Sequence, residues 1–270
     1  MSYEDYGSGP IALLIHGSPG NGKAWARVGE RLSKRYRVIA PDLPGYGDTT
    51  ALPLHAEPDT AETAALLETM MATIGSPAVV AGHSYGGVVA LTLALRGRLT
   101  MGALALFEPV AVPILLMTGE RELFHATKAI FDDYIARVEA GEADAIKIMV
   151  DFWFGPGAFA RMPEPLTAFM TRARVTNTRD IRGAFRPRYT PEALGRLTMP
   201  LVTVVGGRSP DVTGKIARAI VGHAPRASLV TLDTATHALT TTHAEAVAQA
   251  IDEVAGQGPA AATGSHPVIP

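Results

Sequence analysis

Residues 78–88 read Ala-Val-Val-Ala-Gly-His-Ser-Tyr-Gly-Gly-Val, and no other segment says as much about the fold. Its first half, residues 78–82, has the length and apolar composition of a buried strand, and residues 88–95 have the composition of a helix. The glycines of the stretch allow the strand and the helix to approach closely across a sharp turn. The pattern therefore predicts a strained turn that places the Ser84 hydroxyl at the N-terminal end of a helix.

Strands and helices alternate on both sides of this stretch, which is typical of a parallel sheet with helices on both faces. Further strands are predicted at residues 10–17, 36–42, 103–107, 201–205 and 228–232. Helices are predicted at residues 23–35, 60–74, 213–221 and 244–254. Thr60 is the expected N-cap of its helix. Because ligands of such sheets bind at the carboxyl ends of the strands, we expect the functional residues there.

The alternation stops between residues 110 and 196. Helical patterns occur there at residues 124–140, 143–152 and 165–175, without a convincing strand among them. We therefore predict a core made of residues 1–109 and 197–255, with residues 110–196 inserted as a helical cap over one end of the sheet. Residues 256–270 are rich in Gly, Ala and Pro and are predicted to be a disordered tail.

The composition argues against several classes of protein. A chain of 270 residues with a formal net charge of −2 has no overall basic character for binding nucleic acid or an anionic membrane. With no cysteine, it has neither disulfides, a thiolate nucleophile nor a cysteine-based zinc site. The N-terminus does not resemble a signal peptide, and the apolar runs are too short to span a membrane. We expect a cytoplasmic protein that acts on small molecules; the sequence does not indicate its oligomeric state.

Four features resemble the α/β-hydrolase superfamily and occur in the order of that family. They are His16-Gly-Ser-Pro-Gly20, Pro41-Asp-Leu-Pro-Gly-Tyr-Gly47, Gly82-His-Ser-Tyr-Gly-Gly87 and the late His237. The resemblance spans residues 3–254 and implies the α/β-hydrolase fold, with a mostly parallel, doubly wound sheet and a helical cap inserted after the family's sixth strand. The chain begins where the family's second strand usually begins, so the first edge strand is expected to be missing.

The resemblance also implies chemical roles. Ser84 would be the nucleophile of a serine hydrolase, at the turn called the nucleophile elbow. His237 follows the last predicted strand and would be the base, because neutral imidazole accepts a proton near neutral pH; His243 is the alternative. The backbone N–H groups of Tyr85 and Ser18 would form the oxyanion hole that stabilises negative charge in the transition state.

Two clusters are candidates for contact with a substrate. His16 and Gly17 belong to the loop that carries the expected oxyanion hole. Phe152, Trp153 and Phe154 form an aromatic cluster in the predicted cap, where they either line a pocket or anchor the cap to the core.

The acid that would orient His237 is ambiguous. In the common arrangement of the family it follows the strand at 201–205, but Ser209 occupies that position. Asp211 comes two residues later and could instead cap the next helix. Glu108 directly follows the strand at 103–107, from which some α/β-hydrolases take their acid. A carboxylate at the buried end of a central strand needs a partner, so we favour Glu108 and keep Asp211 as the alternative.

Two further patterns suggest anion binding. Gly17 to Lys23 fits the phosphate-binding loop G-x-x-x-x-G-K, but Ala24 stands where a Ser or Thr hydroxyl should hold Mg²⁺, and we reject this interpretation. Residues 172–188 contain six arginines and one acid, Asp180. Such a run is usually a solvated face; the sharper hypothesis is that one arginine binds an anionic group of the substrate.

Together these features predict hydrolysis of a carboxylic ester through an acyl-enzyme on Ser84, with no metal or cofactor. Lactone hydrolysis and cleavage of a C–C bond next to a carbonyl use the same machinery and remain alternatives. Epoxide hydrolysis and dehalogenation are disfavoured, because the relatives that perform them carry Asp in place of Ser84. The alternative from another class is a hydrolase-fold protein that binds a ligand and turns it over little.

Overall fold

The structure is a computed structural model that describes residues 1–52 and 58–258. Within those residues, seven strands form one sheet in the order β1-β3-β2-β4-β5-β6-β7. The strands are β1 (Tyr3–Gly7), β2 (Ile11–Ile15), β3 (Arg37–Pro41), β4 (Val79–His83), β5 (Leu104–Phe107), β6 (Leu201–Gly206) and β7 (Ala227–Leu232). β1 pairs antiparallel with β3, and every other neighbouring pair is parallel. After β2 the chain continues to β3 on one side of the sheet, whereas after β4 it continues to β5 on the other side. A crevice therefore opens between the loops that follow β2 and β4.

Helices flank the sheet and fill the long segment between β5 and β6. Those of the core are α1 (Ala26–Leu32), α2 (Thr60–Ile74), α3 (Tyr85–Arg96), α10 (Asp211–His223), α11 (Leu239–Thr242) and α12 (Ala244–Gly256). Those between β5 and β6 are α4 (Ile114–Met117), α5 (Arg121–Glu139), α6 (Ile146–Phe154), α7 (Ala158–Arg161), α8 (Glu164–Ala184) and α9 (Pro191–Gly195). We call residues 110–196 the helical insert.

The sheet has an apolar layer on each face. Successive residues of a strand point to opposite faces. In β2, Leu13 and Ile15 pack with residues of α2 and α3, whereas Ala12 and Leu14 pack with residues of α1 and α12. All four side chains are completely buried, and burial of a large aliphatic side chain contributes about 1.5–3 kcal/mol. A strand that is buried on both faces must be apolar at every position, which is why its sequence reveals it.

β1 differs from the other strands because it is the edge of the sheet. Its residues alternate between exposed and half-buried, so it has no apolar run that would predict a strand from the sequence. Its register on β3 runs from Tyr3 opposite Pro41 to Gly7 opposite Arg37. In the described part of the chain no strand lies outside β1, so the family's first edge strand has no counterpart there.

The helices predicted at residues 165–175 and 244–254 extend further in the structure. α8 continues to Ala184 rather than ending near residue 175, because the polar residues from Asn177 to Asp180 are buried and find polar partners inside the protein. α12 continues to Gly256, the first residue of the predicted tail. Residues 259–270 of that tail lie outside the described residues. No helix within the described ranges is both long and apolar enough to cross a membrane.

Asp59 caps the N-terminus of α2. The sequence predicted Thr60 as the cap, and that prediction is wrong. The Asp59 side chain accepts a hydrogen bond from the backbone N–H of Ala61 at 2.9 Å. Thr60 is the first residue inside the helix and is completely buried, and among the described residues its hydroxyl caps no N–H group of the helix.

We expect Asp59→Ala to lower the free energy of unfolding by about 1 kcal/mol, because the helix loses the acceptor for one of its first N–H groups. Thr60→Val should change it by less than about 0.5 kcal/mol, since valine keeps the shape and removes a hydroxyl that caps no helix N–H group among the described residues. Urea unfolding followed by circular dichroism measures both values. A larger loss in Thr60→Val than in Asp59→Ala would restore Thr60 as the cap.

Candidate active site

Ser84 lies in the turn between β4 and α3 with a strained backbone. Its φ of 55° and ψ of −120° fall outside the regions that non-glycine residues ordinarily adopt. A Cβ on Gly82 would collide with the backbone of Gly86, and a Cβ on Gly86 would collide with the Ile15 carbonyl oxygen. Glycine at these positions therefore lets the turn close tightly and projects the Ser84 side chain away from the sheet.

The His237 ring connects Ser84 to Glu108. Its Nε2 lies 2.9 Å from Ser84 Oγ, and its Nδ1 lies 2.6 Å from Glu108 Oε2. The exposed fractions of Ser84, His237 and Glu108 are 7%, 2% and 0%, so water does not compete for these hydrogen bonds. A carboxylate accepts the proton of Nδ1, which leaves Nε2 as the acceptor for the serine hydroxyl. The arrangement can therefore remove a proton from Ser84.

Glu108 is held as a charged carboxylate. It directly follows β5 with a φ of 47°, and its Oε1 accepts a 2.6 Å hydrogen bond from the Gly206 N–H. Burial by itself would raise its pKa, but the hydrogen bond and charge of His237, the Ser209 hydroxyl and the Gly206 N–H outweigh burial and lower the pKa. Ser209, at the family's common acid position, thus lies beside the carboxylate.

The alternative acid, Asp211, and the alternative base, His243, both lie away from Ser84. Asp211 is the first residue of α10, with its side chain 69% exposed and Oδ1 3.7 Å from Arg218 Nη2. His243 is hydrogen-bonded through its two ring nitrogens to Thr234 and Thr242 near the surface. The structure brings neither Asp211 nor His243 to Ser84.

Aromatic rings and a second histidine position the His237 ring. Trp153 stacks on it with centroids 4.8 Å apart, and Phe154 meets it edge-on at 5.5 Å. His83 Nε2 donates a 2.8 Å hydrogen bond to the His237 carbonyl oxygen. Burial, followed by the charge of His237, lowers the pKa of His83 to about 3, so His83 stays neutral. Phe152, by contrast, packs on Phe131 and Trp153 and lines neither of the cavities described below.

His16 holds the loop after β2 in position through its hydrogen bonds. Its Nδ1 donates to the Gly17 carbonyl oxygen at 2.7 Å, and its Nε2 accepts from the Leu43 N–H at 2.9 Å. His16 is completely buried, and burial lowers its pKa to about 4. Both ring nitrogens are occupied, so the structure places His16 behind the loop and not among the substrate contacts expected from the sequence.

The same loop carries a polar network that sequence reasoning missed. Ser18 Oγ accepts a 2.8 Å hydrogen bond from Asn177 Nδ2 and lies 2.7 Å from the Tyr46 hydroxyl. The Tyr46 hydroxyl donates to Asp180 Oδ2 at 2.7 Å, and the Tyr134 hydroxyl donates to Asn177 Oδ1 at 2.9 Å. Tyr46 belongs to a motif that the sequence displays, but Asn177 and Asp180 come from α8, and no local pattern marks them as neighbours of Ser18.

Two cavities meet at Ser84. The inner cavity has an empty volume of about 380 Å³ and includes Ser18, Tyr85, Phe131, Trp153, Asn177 and Asp180 in its wall. The outer cavity has an empty volume of about 970 Å³ and includes Gly17, Trp153, Phe154, Met162, Met170 and His237. Ser18 and Tyr85 thus border the space beside Ser84 where a reacting carbonyl would lie. None of the arginines between residues 172 and 188 lines either cavity.

No group of three or more His, Cys, Asp or Glu side chains is placed to hold a metal ion in the part of the chain that the structure describes.

A profile of the alpha/beta hydrolase family matches residues 12–250. The chain belongs to this family. A crystal structure of an alpha/beta hydrolase from Sphaerobacter thermophilus matches it with a TM-score of 0.69 at 25% identity, covering 94% of this chain and 95% of that one. This alpha/beta hydrolase therefore shares its fold with solved members of the family over almost its whole length.

Two curated relatives of higher identity match over shorter segments. The hydrolase is 41% identical over 90 residues to the magnesium-chelatase 30 kDa subunit of Rhodobacter capsulatus, which covers 32% of this chain and 31% of that protein. It is 38% identical over 143 residues to lipase LipV of Mycobacterium tuberculosis, which covers 52% of each. The chain thus spans about a third to a half of the length of these relatives.

The buried neutral His16 predicts a pH dependence of stability. In the unfolded chain its pKa is near the ordinary value of 6.5, whereas in the folded protein it is about 4. Above pH 6.5 the two states bind equal numbers of protons at this site. As the pH falls from 6.5 towards 4, only the unfolded state takes up the proton, so His16 lowers stability by up to about 1.4 kcal/mol per pH unit.

His16→Gln keeps an acceptor for the Leu43 N–H and removes this titration. The wild type should be the more stable protein at pH 7, and its advantage should shrink steadily between pH 6.5 and pH 4.5. Urea unfolding of both proteins at several pH values measures the difference. An advantage that does not change with pH would contradict the neutral, buried histidine.

Proposed function

We propose that this alpha/beta hydrolase is a serine hydrolase that cleaves carboxylic esters through a covalent acyl-enzyme on Ser84. The observation that carries the proposal is the buried series of hydrogen bonds in which the His237 ring lies 2.9 Å from Ser84 Oγ and 2.6 Å from Glu108 Oε2. An imidazole between a hydroxyl and a buried carboxylate is the arrangement that activates a serine nucleophile.

Acylation begins with Ser84. Its Oγ attacks the carbonyl carbon of the ester while His237 Nε2 takes the hydroxyl proton. The carbonyl oxygen becomes negative and accepts hydrogen bonds from the backbone N–H groups of Ser18 and Tyr85; one such donor is typically worth about 2.7–4 kcal/mol in the transition state. His237 then returns the proton to the leaving alkoxide, so an alcohol departs and the acyl group stays on Ser84.

Deacylation repeats these steps with water. His237 removes a proton from a water molecule, whose oxygen attacks the acyl carbon, and then gives that proton back to Ser84 Oγ as the carboxylic acid forms. Glu108 remains a carboxylate throughout, which its lowered pKa favours, and stabilises the imidazolium form of His237. No group of the protein is consumed in the cycle.

The helical insert acts as a cap in this proposal. Trp153 and Phe154, at the end of α6, lie against the His237 ring and shield it from water. Exclusion of water strengthens the electrostatic interactions among the catalytic groups. Substrate would reach Ser84 through the outer cavity, between the insert and the loops of the core.

The relatives bear on the choice of substrate. The match to a lipase supports an ester, and lactones and C–C bonds next to a carbonyl are alternatives that the same residues could cleave. A second candidate function is a hydrolase-fold protein that binds a ligand with little turnover, and the match to a magnesium-chelatase subunit, which is not named as a hydrolase, favours it.

Treatment with a fluorophosphonate, followed by intact-mass analysis, tests the nucleophile without knowledge of the substrate. The wild type should gain one adduct, and Ser84→Ala should gain none, because the probe reacts with an activated serine hydroxyl. Ser76→Ala, which changes an exposed serine before β4, is the matched control and should be labelled like the wild type. A folded wild type that gains no adduct would favour the ligand-binding candidate.

The rate of that reaction also tests the acid. Glu108→Gln should slow the reaction with fluorophosphonate by about 10³- to 10⁴-fold. The amide oxygen would keep the hydrogen bond from the Gly206 N–H, so the amide N–H would face His237 Nδ1. His237 would then carry its proton on Nε2 and could not accept the proton of Ser84. Asp211→Asn, the matched control at an exposed carboxylate, should react at the wild-type rate. The reverse result would make Asp211 the acid.

A further inference from the structure

The two cavities have different positions relative to His237, and this difference separates the two halves of a substrate. This argument rests on the proposed function. His237 must protonate the leaving alkoxide, so that oxygen has to lie within hydrogen-bond reach of Nε2. His237 lines the outer cavity and is not part of the inner wall. The alcohol half of an ester therefore belongs in the outer cavity, and the acyl half belongs in the inner one.

The inner cavity is largely apolar, but Asp180 of α8 brings a carboxylate into its wall. Asp180 is only 3% exposed. Its Oδ2 accepts the 2.7 Å hydrogen bond from Tyr46, whereas its Oδ1 is 3.7 Å from Arg179 Nη1, beyond hydrogen-bond distance. Arg179 gives its short contact, 2.6 Å, to Glu62 instead. Among the described residues no hydrogen bond of ordinary geometry reaches Oδ1, and the Tyr85 hydroxyl lies near the carboxylate.

A buried carboxylate with an unused acceptor costs free energy that a ligand can recover. Burial raises the pKa of Asp180 to about 6, while the nearby hydroxyls of Ser18, Tyr46 and Tyr85 and the charge of Arg179 favour the carboxylate form. None of the arginines between residues 172 and 188 lines the inner cavity, so Asp180 is the charged side chain in the described part of its wall. The polar end of the inner cavity therefore attracts a hydrogen-bond donor and repels an anion.

We propose that the inner cavity binds an acyl group that carries a hydroxyl or ammonium group, and that Asp180 Oδ1 accepts its hydrogen bond. The inner cavity is the smaller of the two and suits the smaller half of the substrate. Phe154, Met162, Leu166 and Met170 make the outer cavity apolar. The substrate class is an ester of a short hydroxy- or amino-substituted acid with an apolar alcohol.

Asp180 also has a structural role, because it holds Tyr46 beside Ser18. The test must therefore separate recognition from structure. Asp180→Asn keeps an oxygen that can accept from Tyr46 but loses the negative charge. A purely structural residue would change the hydrolysis of all esters alike, whereas a recognition residue changes the preference between acyl groups.

The experiment compares 4-nitrophenyl esters whose butanoyl group carries a hydroxyl, an amino or a methyl substituent at carbon 2 or carbon 3. The methyl compounds match the others in heavy atoms and lack the donor. At one position at least, the wild type should hydrolyse the hydroxyl or amino ester with a kcat/KM about tenfold or more above that of its methyl partner, as a hydrogen bond to a charged group implies. In Asp180→Asn this ratio should fall to within about threefold of one, and in the control Asp144→Asn, which changes an exposed carboxylate of the helical insert, it should stay at the wild-type value.

Two results would overturn the inference alone. One is a wild type that is labelled at Ser84 and cleaves the esters but prefers every methyl compound. The other is an Asp180→Asn variant that loses activity on all esters by the same factor. A protein that neither reacts with fluorophosphonate nor cleaves any of the esters would instead refute the proposed function, and this inference with it.

Discussion

The hydrogen bond between His237 Nδ1 and Glu108 Oε2 is the contact on which the rest of the site depends. It joins the end of β5 to the loop after β7 and passes over β6, whose last residue, Gly206, donates to the other carboxylate oxygen. A completely buried carboxylate would be strongly destabilising without such partners. Because the carboxylate takes the proton on Nδ1, the remaining nitrogen of His237 faces Ser84 as an acceptor.

The parallel sheet makes this contact available. Parallel neighbours end at the same edge, so the residues that follow β2, β4, β5 and β7 meet there although they are far apart in the sequence. Ser84 reaches His237 because it lies in a strained turn, which Gly82 and Gly86 allow. Strain of this kind persists only where the surrounding structure imposes it, and here β4 and α3 are both packed in the core.

The helical insert is joined to the core by polar contacts as well as by apolar ones. Asn177 and Asp180 of α8 reach Ser18 directly or through Tyr46, so the loop expected to hold the oxyanion is fastened to the insert. The same helix places a carboxylate in the inner cavity. The parts that would perform the chemistry therefore come from the core, and α8 supplies the polar groups beside them.

The sequence predicted the elements whose physics is local. Strands buried on both faces must be apolar throughout, so β2, β4 and β6 are visible as runs, while the edge strand β1, with one exposed face, is not. The elbow at Ser84 is visible for a similar reason, because only glycine fits beside it. The end of α8 was missed, since polar residues from Asn177 onward resemble a loop until their buried partners are known.

A parallel sheet, an interrupting helical segment, a serine on a strained turn and a late histidine could all be predicted from the amino-acid sequence. The sequence left open which acid meets His237, because Glu108 and Asp211 both follow strands, and the spacing along the chain does not say which one faces the histidine. The folded structure was needed to show that Glu108 lies beside His237 and that Asp180 lies in the wall of the inner cavity. In each case the residues are separated by many positions in the sequence. The packing of the sheet brings Glu108 and His237 within hydrogen-bond distance, and the packing of α8 places Asp180 in the wall of the same cavity as Ser84.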